Sequence, residues 1–253
     1  MIKLKTKEEI GILRAGGRRL AEILTHLREK VTLGIATREL DELARELIKQ
    51  SGDTPAFLNY QLADWKKPYP AALCISINEE IVHGLPSNRK IETGDIVGLD
   101  LGLNHQGLFT DMAVTVPVGT ISPVGRQLIK AAEEALAAGV KAAKPGQKVG
   151  DISSAVGSSI KKAGFKVVEE LAGHGVGYSP HEDPFVPNYG QAGTGPELLP
   201  GLVIAIEPMV TNGSGEIKLA ADGFTFITCD GKLAAHAEKT IVITESGVEI
   251  LTK

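Results

Sequence analysis

The sequence contains little cysteine, few aromatic residues and no strong excess of charge. Its 253 residues include two cysteines, Cys74 and Cys229, which lie far apart in the chain. This low count excludes a small scaffold stapled by disulfides, and in a reducing compartment we expect both thiols to be free and buried. The formal net charge of −4 argues against the clustered basic surface that a nucleic-acid-binding protein requires.

Long apolar segments are absent as well. No apolar run approaches the roughly 20 residues that a membrane-spanning helix requires. Residues 1–9 are charged where a signal peptide carries an apolar core. We therefore expect a cytoplasmic protein with no membrane and no stable nucleic-acid partner. A hydrophobic content of 43% is enough for one large domain with a real core, although the length alone also permits two domains.

Apolar residues at helical spacing predict paired helices in both halves of the chain. The first helix follows Thr6, which forms a capping-box pattern with Glu9. The second begins near Thr37 and ends before Gly52. The other elements expected are strands at about 71–77, 96–103 and 108–117, a loop over 55–70, a helix from 123 to about 144, a helix over about 150–163, and strands after it.

A shift of 112 residues aligns the two halves of the chain with each other. Four pairs then match: Gly34 with Gly146, Leu40 with Ile152, Ile48 with Ile160, and Gly52 with Gly164. A duplicated half explains this most simply, while two amphipathic helices with glycine at both ends could also match by chance. Duplication predicts two α-β halves packed as one domain, with strands from both lining a cleft between them.

Two aspartates flank a predicted hairpin turn at residues 104–107. If the turn centres between His105 and Gln106, then Asp100 and Asp111 become direct cross-strand partners with Cβ atoms roughly 4.5–5.5 Å apart. Like charges at that separation repel, and both strands are otherwise apolar. A pair of solvated hairpin carboxylates is the alternative. The pattern therefore predicts a cation between Asp100 and Asp111.

In three further sequence segments, a histidine or a carboxylate is flanked by glycines or by apolar residues. Glycines surround His174 and clear space for a ligand, and His181 follows seven residues later. The alternating glycines could also indicate a phosphate-binding loop. Such a loop leads into a helix, whereas this segment is followed by prolines and by no helix-forming residues. Glu207 and Glu238 each interrupt an apolar strand, where an unpaired carboxylate is strongly unfavourable. His236 shares the strand face of Glu238, so we expect it beside the same site, with a surface role as the alternative.

Four carboxylates and one imidazole form a hard, oxygen-rich ligand set. The set comprises Asp100, Asp111, His174, Glu207 and Glu238. It suits Mn²⁺, Fe²⁺ or Co²⁺ and differs from the thiolate-rich sites of structural zinc, with Zn²⁺ kept as the alternative. Five ligands are too many for one ion, whereas two metals about 3.5–4 Å apart could share them and activate water near neutral pH. The predicted reaction class is metal-assisted hydrolysis.

These strings, in this order and spacing, resemble the methionine aminopeptidases over the whole chain. The closer resemblance is to the shorter, type 1 enzymes without an N-terminal extension. It implies the α+β pita-bread fold, in which two pseudo-symmetric α-β halves place antiparallel strands around a central metal cleft and helices outside. It also implies a single catalytic domain over 1–253, with halves at about 1–120 and 121–253. The implied ligands are Asp100 and Glu238 for one metal, His174 and Glu207 for the other, and Asp111 and Glu238 as bridges.

The resemblance also assigns residues that contact the substrate. His83, within residues 76–86, would contact the scissile amide, His181 would stabilise the tetrahedral intermediate, and Glu207 would handle the proton. Residues at the positions of the small methionine pocket are Tyr60, Cys74 and Phe224. The implied activity is removal of the initiator methionine from nascent chains with a small second residue. The resemblance further implies a monomer with transient ribosome contact.

Several positions depart from the pattern of the family. The replacements are Tyr178 for an arginine, Pro180 and Phe224 for larger aromatics, and Lys239 for a histidine. Residues 61–70 also form a longer loop than the family pattern predicts. None of these positions is a predicted metal ligand, so the departures bear on substrate preference more than on activity.

Two other functions fit parts of the pattern. A prolidase or Xaa-Pro aminopeptidase shares the ligand set but carries an additional N-terminal domain, for which this chain has no room. A non-catalytic binding protein on the same scaffold typically loses ligands, and all five are present in this sequence. The complete set therefore favours the peptidase.

Overall fold

The computed structural model describes residues 1–61 and 66–253. The long loop predicted over 61–70 includes residues 62–65, which lie outside the described residues. The four helices are α1 (Lys7–Lys30), α2 (Thr37–Gln50), α3 (Pro123–Ala142) and α4 (Val149–Lys162). The strands are β1 (Thr54–Pro55), β2 (Leu73–Ile77), β3 (Glu80–Val82), β4 (Ile96–His105), β5 (Leu108–Pro117), β6 (Lys166–Val167), β7 (Ala172–Gly175), β8 (Glu182–Pro187), β9 (Val203–Ile206), β10 (Met209–Thr211), β11 (Ile217–Leu219), β12 (Phe226–Thr228), β13 (Ala234–His236), β14 (Lys239–Thr244) and β15 (Gly247–Ile250).

Helix α1 begins at the predicted capping box. The backbone N–H of Glu9 donates to the Thr6 hydroxyl at 3.2 Å, and the Thr6 N–H donates to the Glu9 carboxylate at 2.8 Å. These bonds satisfy backbone donors that the first turn of a helix leaves without partners. Helix α2 begins at Thr37 and ends at Gln50, two residues before Gly52, as predicted.

Each helix pair covers one face of an antiparallel sheet. Strands β1, β4, β2 and β5 form the first sheet, whose buried side chains pack with those of α1 and α2. Strands β15, β14, β9, β7 and β8 form a five-stranded sheet in that order, and β9 and β14 pack against α3 and α4. Two smaller sheets have the orders β13-β10-β6 and β11-β12-β3. The helices therefore lie outside and the strands inside, as the resemblance implies.

Part of the first half recurs in the second half. Adding 112 to the bounds of α2 gives the bounds of α4, and the same shift converts β1 into β6. The glycines before the two helices, Gly34 and Gly146, have φ values of 87° and 80°. The glycines after them, Gly52 and Gly164, have φ values of 78° and 83°. Since glycine adopts positive φ without steric penalty, the same turns recur in both halves. This supports duplication, and the single catalytic domain stays a prediction.

The register of the β4–β5 hairpin differs from the predicted one. Its turn residues are Gln106 and Gly107, both with positive φ, as a two-residue hairpin turn of the favoured twist requires. Asp100 therefore faces Ala113, and Asp111 faces Gly102. The prediction of direct cross-strand partners was wrong, because the turn centres one residue further along the chain. The two aspartates still share one face of the hairpin, as diagonal neighbours.

Both cysteines are free, as predicted, but only one is buried. Cys74 lies inside β2, whereas Cys229 follows β12 and is exposed, so the prediction that both thiols are buried was wrong for Cys229. Among the helices described, none combines the length and apolar character needed to cross a membrane.

Candidate metal centre

The five predicted metal ligands line one cavity of about 440 Å³. The first half contributes Asp100 from β4 and Asp111 from β5. The second half contributes His174 from β7, Glu207 from the position after β9, and Glu238 from the position between β13 and β14. The sheets of both halves therefore converge on this cavity, and each half brings ligands that the other lacks.

Backbone contacts between the halves hold the ligands in place. The Asp111 N–H donates to the Thr240 hydroxyl at 2.9 Å, and that hydroxyl donates back to the Asp111 carbonyl at 2.7 Å. The Glu238 N–H donates to the Ala113 carbonyl at 2.9 Å. These bonds join β5 to the start of β14, so the positions of Asp111 and Glu238 depend on the same contact between the halves.

Donor atoms of several ligands lie close together. One atom each from Asp111, His174 and Glu238 lies within 4.8 Å of the other two. His174 Nε2 lies 3.4 Å from Glu207 Oε1. His174 Nδ1 lies 2.9 Å from the Gly175 carbonyl oxygen, which can only accept a hydrogen bond. Nδ1 therefore carries the proton, and the Nε2 lone pair of His174 points toward the cavity.

Burial shifts the pKa values of all four carboxylates upward, and repulsion from neighbouring carboxylates adds to the shift for Asp100, Asp111 and Glu238. Burial raises the pKa of Asp111 to about 7, and the charge of Glu207 adds to the effect. Burial also raises the pKa of Glu207 to about 7. The pKa values of Asp100 and Glu238 are well above their usual range, again through burial and then through the neighbouring carboxylates. Without a cation, the fully ionised cluster is therefore strongly unfavourable.

The donor atoms fit divalent cations. Asp100 Oδ1 and Glu238 Oε1 are buried and, within the described part of the chain, accept no hydrogen bond. A buried carboxylate oxygen without a partner is costly, and a bound cation would satisfy both atoms. Four carboxylates and one imidazole are the donors that hard or borderline divalent ions prefer. The residues present thus suit the metal set that the sequence predicts.

His236 contacts this cluster, although it is not one of the five predicted ligands. Its Nε2 atom lies 3.3 Å from Glu207 Oε2, so the Glu207 carboxylate lies between His174 and His236. Burial lowers the pKa of His236 to about 4. The expected position beside the site is confirmed, and the surface alternative is wrong.

Two further histidines face the same cavity, as predicted. His83 has a φ of 58°, a conformation that non-glycine residues rarely adopt and that often occurs at functional sites. The His181 ring stacks on Tyr60 with centroids 5.3 Å apart and lies 4.2 Å from the His174 ring. Burial lowers the pKa of His83 to about 4 and that of His181 well below its usual range. Both imidazoles are therefore neutral near pH 7.

Two of the three residues predicted for the methionine pocket line the cavity. Tyr60 and Cys74 line the cavity, and burial keeps the Cys74 thiol neutral by raising its pKa well above the usual range. Phe224 lies behind the wall, with a 1% exposed side chain whose ring meets Tyr69 edge-on at 5.5 Å. The position matched by the sequence pattern therefore supports the wall through Tyr69.

The structure adds apolar residues to the cavity that the sequence patterns did not single out. They are Phe57, Tyr69, Val82, Leu171, Phe185, Met209, Leu219 and Phe226. Phe226 could have been identified from the sequence, because it lies two residues after the predicted pocket residue Phe224. The others come from strands and loops whose contacts with the cavity depend on tertiary packing.

Two of the departures from the family pattern lie in a cluster at the N-terminal segment. The Tyr178 hydroxyl lies 2.9 Å from the Glu9 carboxylate, and the Lys5 ammonium lies 4.8 Å from the Tyr178 ring centroid. The Lys5 side chain is fully buried and forms an ion pair with Glu182, the residue after His181. Pro180 is buried in the same loop. This ion pair joins residues 1–6 to the loop that carries His181.

Lys239, the remaining departure, points away from the cluster. Its ammonium donates to the Thr252 carbonyl at 2.5 Å and lies 3.5 Å from Met112 Sδ. The positive charge still acts on Glu238 as the smallest of the effects on its pKa, and it lowers that pKa. The residue therefore anchors the C-terminal segment.

Comparison with known proteins agrees with this geometry. The model of metallopeptidase family M24 matches residues 11–245. Methionine aminopeptidase 1 of Bacillus subtilis is 44% identical over all of both chains. A methionine aminopeptidase structure from Thermotoga maritima is 41% identical, covers all of both chains and superposes with a TM-score of 0.96.

A prolidase from Pyrococcus furiosus is a more distant match. It is 28% identical with a TM-score of 0.77, and the match covers 99% of this chain but 65% of the prolidase. The prolidase alternative is therefore not favoured, while the shared fold is the one that the resemblance implies. The chain belongs to metallopeptidase family M24 and, within it, to the methionine aminopeptidases.

Proposed function

We propose that this protein removes the N-terminal methionine from polypeptides with a small second residue by hydrolysis, using two divalent metal ions. One observation supports this most strongly: five oxygen and nitrogen donors from both halves line one cavity, in a chain that matches methionine aminopeptidases over its full length. The ligands are Asp100, Asp111, His174, Glu207 and Glu238. Mn²⁺, Fe²⁺ or Co²⁺ suit this set best, with Zn²⁺ as the alternative.

The proposed division of ligands is the one that the resemblance to the methionine aminopeptidases implies. Asp100 and Glu238 would hold one ion, and His174 and Glu207 the other, with Asp111 and Glu238 as the bridges. The short distances within the group of Asp111, His174 and Glu238 support a site shared in this way. Bound ions would supply Lewis acidity toward the scissile carbonyl and toward an attacking water.

Glu207 is the proposed proton carrier of the reaction. Its carboxylate lies between His174 and His236 and faces the cavity, where it would exchange a proton with the attacking water.

His181 is the proposed donor to the oxygen of the tetrahedral intermediate. Tyr60 Oη lies 3.2 Å from His181 Nδ1. A phenol that donates to Nδ1 leaves the proton on Nε2, where it can be donated into the cavity. His83 is neutral as well and is proposed to contact the scissile amide.

The methionine side chain of the substrate would occupy the apolar part of the cavity. Tyr60, Tyr69 and Cys74 line this part, and Phe224 supports Tyr69 from behind. An apolar pocket separates side chains of similar size by only ~1–3 kcal/mol, so selectivity for methionine over leucine is expected to be incomplete. Action on nascent chains in the cytoplasm, a monomeric state and transient ribosome contact stay predictions.

The experiment measures free methionine released from Met-Ala-Ser, with an Xaa-Pro peptide as the comparison substrate. Protein freed of metal is titrated with Mn²⁺ or Co²⁺, and Glu207→Gln is compared with Glu134→Gln, whose side chain is 57% exposed on α3. We expect metal-dependent release from Met-Ala-Ser, lost in the first variant and retained in the second. Release from the Xaa-Pro peptide alone would indicate a prolidase. Release from neither peptide would indicate a binding protein.

A further inference from the structure

Two exposed apolar side chains lie at the mouth of the catalytic cavity. Phe185, on β8, is 63% exposed, and Leu219, on β11, is 51% exposed. Both line the cavity together with the candidate metal ligands. Isolated exposed apolar residues are common, but two that flank one opening from different sheets form an apolar surface that a ligand can cover.

Phe185 extends the wall that carries His174. The two residues are cross-strand partners in the β7–β8 pair, so their side chains stand side by side on one face of the sheet. Strand β8 is the last strand of that sheet. Phe185 therefore lies one strand spacing, about 4.8 Å, outward from His174.

Leu219 extends the wall that carries His83. Val82 pairs with Phe226 across β3 and β12, and Phe226 pairs with Leu219 across β12 and β11. The Phe226 ring centroid lies 5.8 Å from that of His83. Leu219 therefore lies two strand spacings, about 10 Å, outward from β3.

A substrate chain that leaves the cavity past its exposed lining residues runs between these two walls. The proposed function places the scissile bond at the metal ligands, and an extended peptide advances about 3.3 Å per residue. The third substrate residue then lies about 6 Å from the scissile carbon and the fourth about 10 Å. Phe185 lies one strand outward from His174 and Leu219 two strands outward from β3, so the nearer residue of the chain is assigned to Phe185 and the next one to Leu219. Successive side chains of an extended peptide point in opposite directions, so each can meet a different wall.

We propose that Phe185 and Leu219 form apolar subsites for the third and fourth residues of the substrate polypeptide, respectively. The inference rests on the proposed function, because it assumes that a peptide with a free N-terminal methionine occupies the cavity. Its consequence is a preference for substrates that carry an apolar side chain at either position. Exposed Glu170, also at the mouth, adds a negative charge that disfavours acidic residues there.

The test compares kcat/KM for methionine release from three tetrapeptides. Met-Ala-Ser-Ser is the reference, and Met-Ala-Leu-Ser and Met-Ala-Ser-Leu each add one apolar side chain. Each enzyme variant is scored by its ratio of leucine peptide to reference, so that changes in general activity cancel. The variants are Phe185→Ser and Leu219→Ser, with Leu33→Ser and Leu199→Ser as controls that replace apolar side chains with exposures of 67% and 42%.

We expect the wild-type protein to favour each leucine peptide about tenfold over the reference. Phe185→Ser should lose the preference at the third residue and keep that at the fourth, and Leu219→Ser should do the reverse. Both controls should keep both preferences. The proposal is overturned if wild type shows no preference, or if the two variants keep the preferences assigned to them. Absence of methionine release from all three peptides would instead overturn the proposed function, and the subsites with it.

Discussion

Replacing Asp111 with asparagine tests how strongly the buried carboxylates destabilise the protein when no metal is bound. Asp111 is 4% exposed, and its pKa of about 7 compares with an ordinary value of 3.8. A difference of about three pH units corresponds to about 4 kcal/mol of unfavourable free energy when the group is ionised in the folded state. Asparagine keeps the shape and can still accept the hydrogen bond that the Met112 N–H donates at 2.9 Å.

The metal-free variant should therefore be more stable than wild type at about pH 8, by roughly 2 to 4 kcal/mol. The pH dependence follows from the direction of the pKa change. The folded-state pKa of Asp111 is raised, so its ionisation does not reduce the stability of wild type below the unfolded-state value of 3.8. The free energy of unfolding then falls, by up to about 4 kcal/mol, as the pH rises through about 7. The advantage of the variant should be nearly absent at about pH 4 and constant above about pH 8.

The assay is chemical denaturation in chelator and again with Mn²⁺ at each pH. Wild type should gain stability from the metal, by about 2.7 kcal/mol when the metal concentration is about 100 times its Kd. Asp111→Asn should gain little and should release no methionine from Met-Ala-Ser. Glu134→Gln, which removes an exposed carboxylate, should behave like wild type. A metal-free Asp111→Asn that is less stable than wild type at pH 8, or equally stabilised by Mn²⁺, would refute the reasoning.

Three further predictions concern residues that are not metal ligands. In α1, Gly11→Ala should stabilise the protein by about 1 kcal/mol, because alanine favours the helix and nothing lies within 4 Å of the new Cβ. Gly17→Ala should destabilise it by about 1–3 kcal/mol, because its Cβ would lie 2.5 Å from a backbone oxygen. Melting temperatures equal to that of wild type would contradict both predictions. Native protein treated with iodoacetamide should be labelled at exposed Cys229 and not at Cys74, with both labelled after denaturation, and mass spectrometry decides. Lys5→Met should lower the free energy of unfolding by about 1–3 kcal/mol, because it leaves the partly buried Glu182 carboxylate with the Tyr178 N–H and without its ion-pair partner, and an unchanged denaturation curve would count against a stabilising ion pair.

Local features of the chain were predictable because neighbouring residues determine them. The capping box at Thr6 and Glu9 sets the start of α1, and the glycines at 34, 52, 146 and 164 bound α2 and α4 through turns with positive φ. The ligand types were equally readable, since a carboxylate such as Glu207 in an apolar strand needs a partner. The order and spacing of the motifs were thus enough to recognise the fold family and to predict the five acidic and histidine side chains that meet in the cavity.

The tertiary structure decided the features that depend on how distant segments meet. The Asp100–Asp111 register differs from the predicted one because it depends on which two residues adopt positive φ in the turn. Phe224 lies behind Tyr69 because strand packing sets which of two alternating phenylalanines reaches the cavity. The sequence by itself determined which donor atoms are available for a metal. Only the packing of the two halves determined the distances between these donor atoms, the pKa values of the carboxylates and the apolar mouth at Phe185. Each of these properties depends on segments that are far apart in the chain.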